Sequence, residues 1–156
     1  MNRKRAKYMT SVLGILGAAL AVFTILCLLL NTCDGTVKSL RGSYGVTAEG
    51  TFPADTSLMV TKLSDENADY AQTVSMLPDG AGTVLGVFRM ALEAKNETVE
   101  PNGTVRITMN IPSSAETCTV YRAEDASLTH LSADANGGTV TFETGFLGLF
   151  LLTSEV

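Results

Sequence analysis

Apolar and polar residues alternate over several short stretches of the chain, and this period of two is typical of β-strands with one buried face. The clearest stretch is residues 104–111, TVRITMNI, which places its apolar side chains on one face and its polar side chains on the other. Pro101-Asn102-Gly103 precedes the stretch as a turn signal, and Pro112 follows it. Proline lacks the N–H that a strand ladder needs, so the pattern predicts a strand that ends before Pro112.

Similar stretches recur and are separated by proline- and glycine-containing turns. The further predicted strands cover residues 45–52, 57–63, 83–92, 117–123, 128–133, 139–144 and 146–153. The last of them, FLGLFLLT, is apolar on both faces, which favours a central strand that is covered on each side. About eight short strands predict a mainly β fold, an antiparallel β-sandwich, with Val120 and Phe142 in the core between its sheets. The short and partly polar stretch 128–133 is the predicted edge strand.

One stretch departs from this period. Residues 64–76, SDENADYAQTVSM, begin with Ser64, which can serve as a helix N-cap. Asp65 and Glu66 follow it and suit the positive end of a helix dipole. Small and apolar residues then recur at three-residue spacing, at Ala68, Ala71, Val74 and Leu77. The stretch therefore predicts one short helix that joins two strands.

The N-terminal part of the chain contains a long apolar run, residues 12–30, VLGILGAALAVFTILCLLL. The run has no charge and no proline, and as a helix it would span roughly 28 Å, close to the thickness of a bilayer core. Four basic residues precede it, namely Arg3, Lys4, Arg5 and Lys7. The positive-inside bias therefore predicts a single N-terminal transmembrane helix, with residues 1–11 in the cytoplasm and the rest of the chain outside the cell.

The predicted transmembrane helix would act as an uncleaved signal anchor, and two alternatives to it remain open. A signal peptide has a shorter apolar region, but Cys33 and Gly35 would suit cleavage after Gly35 and secretion of the remainder. A lipid anchor on Cys33 is less favoured, because Asn31 and Thr32 replace the small apolar residues that usually precede a lipidated cysteine.

The charge distribution agrees with this division of the chain. Four of the eleven basic residues lie in the first seven positions and none of the sixteen acidic residues lies before Asp34, which leaves a net charge of −9 for residues 34–156. A region this acidic is a poor partner for nucleic acid. Residues 31–45 are polar and contain glycine, which predicts a linker. The extracytoplasmic sandwich is then expected over residues 46–156.

The order of features after Val46 is similar to that of a known module. It runs through Gly50-Thr51-Phe52-Pro53, Leu58-Met59-Val60, Val99-Glu100-Pro101-Asn102-Gly103-Thr104-Val105, Ile111-Pro112, Thr119-Val120-Tyr121 and Val140-Thr141-Phe142-Glu143-Thr144. This order resembles the β-sandwich module of Gram-positive bacterial cell-surface, adhesin-like proteins. The resemblance implies a domain at the cell surface with no catalytic residues to carry over.

The sequence offers no set of residues that identifies a reaction. His130 is the single histidine, and a zinc site would need further nitrogen or sulfur ligands, which Cys33 and Cys118 do not supply at ligand spacing. Ser113-Ser114 follows Pro112 as a polar turn and belongs to no Gly-x-Ser-x-Gly motif. We therefore expect a surface histidine on a strand, no enzyme activity and no cofactor.

The paired carboxylates Asp65/Glu66 and Glu124/Asp125 are expected in loops or caps, where solvation explains them. Neither pair fits the calcium-loop pattern, so no metal site is predicted, although loop carboxylates could in principle form a weak calcium site.

The cysteines differ in their predicted surroundings. Cys27 lies within the apolar run, and Cys118 alternates with Val120, which predicts a small buried side chain. Cys33 lies just beyond the membrane segment, where a free thiol and a disulfide between two copies are both possible in an oxidising compartment. The oligomeric state is not predicted.

The function expected from these features is a structural or binding role for a membrane-tethered extracytoplasmic β-sandwich. The cell wall or another surface protein are the candidate partners. The alternative is an accessory or degenerate carbohydrate-active domain, which needs two carboxylates across a cleft and usually aromatic platforms for sugar. The chain has no tryptophan, and only Tyr44, Tyr70 and Tyr121 lie beyond the predicted anchor.

Overall fold

The computed structural model describes residues 36–113, 115 and 117–154. The strands are β1 (Lys38–Arg41), β2 (Thr47–Gly50), β3 (Thr56–Lys62), β4 (Thr83–Ala94), β5 (Glu97–Val99), β6 (Val105–Asn110), β7 (Thr119–Glu124), β8 (Ser127–Leu131), β9 (Ala133–Asn136), β10 (Thr139–Thr144) and β11 (Leu149–Ser154). One α-helix, α1 (Ala68–Ser75), lies between β3 and β4, and a short 3-10 turn covers Ser43–Gly45.

The predicted N-terminal features lie outside the described residues. These are the basic segment 1–11, the membrane segment 12–30, and Cys27 and Cys33. Within the described part of the chain, no helix has the length and apolar character needed to cross a membrane.

The strands form two antiparallel sheets. The five-stranded sheet has the order β1-β2-β6-β10-β9. The six-stranded sheet has the order β3-β4-β11-β7-β8, and β5 pairs with the end of the long strand β4. Each of the eight predicted strands has a counterpart, so the predicted mainly β, antiparallel fold is confirmed, with eleven strands among the described residues.

The core lies between the inner faces of the two sheets. Val105, Ile107 and Met109 of β6 are fully buried, as their alternation predicts. Phe142 of β10 is 2% exposed, and its ring centroid lies 5.3 Å from that of Phe150 of β11, in the other sheet. The two sheets therefore pack face to face as a sandwich, and the predicted core position of Phe142 is confirmed. Val120 is confirmed likewise, with 0% exposure.

The outer face of the six-stranded sheet carries a second, smaller apolar cluster. Leu63, Val87 and Leu151 are buried there, and they are packed against Tyr70, Val74, Leu77, Tyr121 and Leu149. Residues of α1 and of the segment just after it thus cover this face of the sheet. The prediction that the last strand is buried on both faces is confirmed, because β11 sits between β4 and β7 and directs Leu152 into the main core and Leu151 under α1.

The helix begins later than its sequence suggests. Asn67 is the N-cap, since its side-chain oxygen accepts a hydrogen bond from the backbone N–H of Asp69 at 2.9 Å. The prediction that Ser64 is the N-cap is wrong. The backbone carbonyl of Ser64 accepts a hydrogen bond from the N–H of Asn67, and this bond closes a turn before the helix. Ser64 and Asn67 are both good capping residues, and only the geometry of the chain leaving β3 selects the second.

Three short strands have no counterpart in the sequence prediction. They are β1, β5 and β9, each of three or four residues. β1 lies inside the segment 31–45 that was expected to be a linker, and it pairs with β2 at the edge of the five-stranded sheet. A period of two cannot be recognised over so few residues, so hairpin pairing rather than local pattern determines these strands.

The stretch 128–133 belongs to two strands rather than one. Residues up to Leu131 form β8, an edge of the six-stranded sheet, and Ala133 begins β9 in the five-stranded sheet. Ser132 alone carries the chain from one sheet to the other. The predicted edge position is confirmed, while the predicted single strand is wrong, because continuous alternation does not reveal a change of sheet.

Three hairpins have two-residue turns with positive φ at both positions. They are Lys95-Asn96 between β4 and β5, Asp125-Ala126 between β7 and β8, and Gly137-Gly138 between β9 and β10. Such turns match the right-handed twist of the flanking strands and favour Asn and Gly. Ala126, at φ 66°, is therefore held in a conformation that an L-residue with a β-carbon adopts at a cost.

Replacing Ala126 with glycine is expected to raise the free energy of unfolding by about 0.5–1 kcal/mol, because the relieved left-handed strain exceeds the extra entropy of the unfolded chain. Chemical denaturation measures the change. The matched control is Ala123→Gly in β7, where an extended conformation predicts a loss of about 0.5–1 kcal/mol instead. A loss of stability in both variants would contradict the assigned turn.

Candidate functional site

The outer face of the five-stranded sheet is polar and exposed to solvent. Strand register places Glu49 of β2 opposite Arg106 of β6, and Arg106 opposite Glu143 of β10. All three side chains point away from the core, since their neighbours along each strand are buried. These three residues form a charged row across the middle of the sheet, called the Arg106 row below.

A second row of short polar side chains runs beside the first. It consists of Thr47, Thr108, Thr141 and Asp134, which are successive cross-strand partners on β2, β6, β10 and β9. The hydroxyls of Thr108 and Thr141 lie 3.2 Å apart, within hydrogen-bond distance. Such cross-strand threonine pairs fix the side chains without removing their remaining hydrogen-bonding capacity.

The centre of the Arg106 row is an ion pair. The Nη2 atom of Arg106 donates a hydrogen bond of 3.1 Å to Oε1 of Glu143, and the two side chains are 58% and 57% exposed. At this exposure the pair contributes about 0.2–1 kcal/mol at most to stability. The sheet fixes the backbone positions of the two residues, and their exposed side chains are accessible to a ligand.

Open grooves lie on both sides of this ion pair. The larger has a volume of about 680 Å³ and is lined by Arg106, Thr108, Ser132, Ala133, Asp134, Thr141, Phe142 and Glu143. It forms where β9 leaves the sheet, because the pairing of β9 with β10 ends at Ala133 and Phe142. The smaller, of about 300 Å³, is lined by Val37, Glu49, Gly50, Thr104, Arg106 and Glu143. The Arg106–Glu143 pair is thus a ridge that both grooves share.

The chemistry available on this face is hydrogen bonding and charge pairing. Glu49, Glu143 and Asp134 offer carboxylate oxygens, and the threonines offer hydroxyls. In the two rows one guanidinium, that of Arg106, lies among three carboxylates, and Arg41 of β1 adds a second guanidinium beside Thr47, so the face carries charges of both signs. Hydroxyl-bearing and amine-bearing ligands have the matching groups.

The residues that the sequence singled out lie elsewhere. His130 is exposed on β8, and its ring packs edge-on against Tyr121 with 5.8 Å between centroids. Glu124 accepts a hydrogen bond of 2.6 Å from Nη2 of Arg122, and Asp125 occupies the turn that follows. Asp65 and Glu66 lie exposed in the turn before α1. Among the described residues, no three His, Cys, Asp or Glu side chains are grouped so that they could hold a metal ion.

Cys118 is a buried thiol, as its alternation with Val120 predicts. It is 8% exposed, and burial raises its pKa from 9.0 to about 11. The thiolate is the reactive form, so this side chain is inert near neutral pH. Its place in the main core makes it a packing residue.

The sequence signal for the Arg106 row was incomplete. Alternation in residues 104–111 places Arg106 on the outward face, and the same pattern in 139–144 places Glu143 outward. The two are 37 positions apart in the chain, and only the pairing of β6 with β10 makes them neighbours.

No protein-family model matches the chain, and no curated protein shows significant sequence similarity to it.

Proposed function

We propose that this chain is a membrane-tethered extracytoplasmic binding module of the bacterial cell surface, and that it binds through the outer face of its five-stranded sheet. The location is supported by the apolar run 12–30, which follows four basic residues and precedes every acidic one. The same features would serve secretion after cleavage near Gly35, which leaves the binding role unchanged.

The observation that carries the binding role is the exposed Arg106 row with a groove on each side. Part of the outer face of the other sheet is covered by α1 and the segment after it, and the inner faces form the core. The Arg106 row thus offers charged groups at fixed positions on a sheet, and such rigid placement suits recognition. The carboxylates of this row and the threonine hydroxyls of the row beside it match the hydroxyl- and amine-rich polymers of a cell wall.

The binding role is tested by sedimentation of full-length protein with purified cell-wall sacculi. We expect Arg106→Ala to lower the bound fraction at least about fivefold, because it removes the donor shared by both grooves and leaves Glu143 without its ion-pair partner. The matched control is Arg89→Ala, which breaks the ion pair between Arg89 and Asp69 in the other half of the sandwich. Equal binding by both variants and the unchanged protein would contradict the assignment of this face.

The tether has its own test. Intact Gram-positive cells that express the full-length chain with a C-terminal epitope are treated with protease, and loss of the epitope is the expected result. Complete protection of the epitope in intact cells, together with digestion after lysis, would contradict the proposed orientation.

The carbohydrate-active alternative draws support from one feature. Asp134 and Glu143 are two carboxylates that line the same groove. Against it, Glu143 is bound to Arg106, and none of Tyr44, Tyr70 and Tyr121 is among the lining residues of that groove. Turnover of any polysaccharide that Glu143→Gln abolishes would favour this alternative over a binding role.

A further inference from the structure

β8 is an edge strand with unpaired backbone groups. It pairs with β7 along one side, and no other strand of the described residues pairs with it. The two-residue turn Asp125-Ala126 makes Glu124 and Ser127 a hydrogen-bonded pair, and hydrogen-bonded and non-hydrogen-bonded pairs then alternate. The N–H and C=O groups of Leu128 and His130 consequently point away from β7.

The edge strands of the two sheets differ in how well they are protected against pairing with another strand. Natural edge strands carry charged side chains, above all lysine, which oppose pairing with another strand. β1 carries Lys38 and Arg41, β3 ends at Lys62, and β9 carries Asp134. β8, with the sequence SLTHL, contains no lysine, arginine, carboxylate or proline. It is the edge on which such protection is missing.

We propose that β8 pairs in antiparallel orientation with β8 of a second copy of this chain, about a two-fold axis that passes beside Thr129. In this register Ser127 lies opposite Leu131 of the second copy, and Leu128 lies opposite its His130. All five residues of the strand are then matched with no overhang. The outward N–H and C=O groups of Leu128 and His130 pair with the same groups of the second copy, and the two six-stranded sheets become continuous.

The side chains at this edge fit the pairing. Tyr121 and His130 already form an edge-on ring contact on the outer face of the sheet. In the proposed pair, Leu128 of the second copy extends that row, and the two Thr129 side chains meet at the axis. Aromatic–aliphatic and threonine–threonine pairs are favourable cross-strand neighbours.

The proposed contact is small and is opposed by charge. Five residues of edge bury much less than the roughly 1,600 Å² of a standard stable interface. Residues 34–156 also carry a net charge of −9, so two copies repel one another. The pair therefore forms where copies are concentrated, and here the inference rests on the proposed function, because tethering by residues 12–30 confines copies to one plane.

Disulfide trapping tests the register. The full-length chain, with Cys27→Ser and Cys33→Ser, receives either Thr129→Cys or Ser127→Cys. In the proposed pair the Cα atoms of the two residues 129 lie about 4.5 Å apart, within disulfide range, whereas those of the two residues 127 are separated by roughly 13 Å along the strands. After mild oxidation in lipid vesicles, we expect more than half of the Thr129→Cys chains and fewer than a tenth of the Ser127→Cys chains as dimers on non-reducing electrophoresis.

A second substitution tests the backbone pairing. Adding His130→Pro to the Thr129→Cys chain removes one outward N–H without touching the ladder to β7, and an edge strand tolerates proline there. We expect the dimer yield to fall at least fivefold. His130→Ala keeps the N–H and is expected to retain the dimer, and the denaturation midpoint of each variant shows that it is folded.

The outcomes separate this inference from the proposed tether. Protein at about 1 mM in detergent tests the pairing without a bilayer. The dimer yield is expected to rise with added salt, because salt screens the repulsion between the two acidic copies. If dimers form in detergent but the epitope is protected from protease in intact cells, the proposed membrane orientation is overturned and the β8 pairing is retained. Equal yields for the two cysteine positions, or no effect of His130→Pro, would overturn the β8 pairing.

Discussion

Replacing Phe142 with alanine is expected to lower the free energy of unfolding by about 3–5 kcal/mol. Phe142 is 2% exposed, and its ring meets that of Phe150 across the interface between the two sheets. The substitution removes buried apolar surface and leaves a cavity that the two sheets cannot close without losing their pairing. Since domains of this size are stable by about 5–15 kcal/mol, the variant loses a large share of its stability.

The control for this prediction is Phe146→Ala, which makes the same chemical change at an exposed position. Phe146 is 60% exposed, and its ring lies 5.7 Å from the guanidinium of Arg122. Only this contact is lost, so a change of about 1 kcal/mol or less is expected. Denaturation midpoints that fall equally in the two variants would contradict the position of Phe142 in the core.

Leu151→Ala is expected to lower the free energy of unfolding by about 2–5 kcal/mol. Leu151 is fully buried, although it points away from the main core, because α1 and the segment after it cover this face of the sheet. The size of the loss therefore measures how firmly the helix is docked. Leu77→Ala removes a neighbour in the same cluster, so the double variant should lose less than the sum of the two single variants.

Met59→Ala is the matched control, because Met59 lies on the same outer face of the six-stranded sheet but is 48% exposed. A change within about 0.5 kcal/mol is expected there. Strictly additive losses for Leu151→Ala and Leu77→Ala would contradict the packing of the segment after α1 against the cluster that contains Leu151.

Local pattern was sufficient for the parts of the fold that depend on neighbouring residues. The strand at 139–144 and the turn before it follow from alternating Val140 and Phe142 and from Gly137-Gly138, whose positive φ values the turn requires. Burial on both faces of β11 could likewise be read from its apolar composition. Each of these features is determined within a few residues.

Features that depend on distant pairing could not be predicted in the same way. Periodicity states which side chains share a face, but it does not state which strand lies next to which. The Arg106 row is an example, because Glu49, Arg106 and Glu143 come together only through the order β2-β6-β10. The change of sheet at Ser132 is another, since an edge strand that crosses to the other sheet keeps its alternation.

The position of β11 at the centre of its sheet has a consequence for synthesis. β11 is the last described strand, and it pairs on one side with β4 and on the other with β7. Until residues 149–154 have been synthesised, β4 and β7 lack this shared neighbour, and each has an open edge with unpaired N–H and C=O groups. The six-stranded sheet therefore cannot be completed before β11 has been synthesised, and until then the unfinished chain exposes strand edges that favour aggregation.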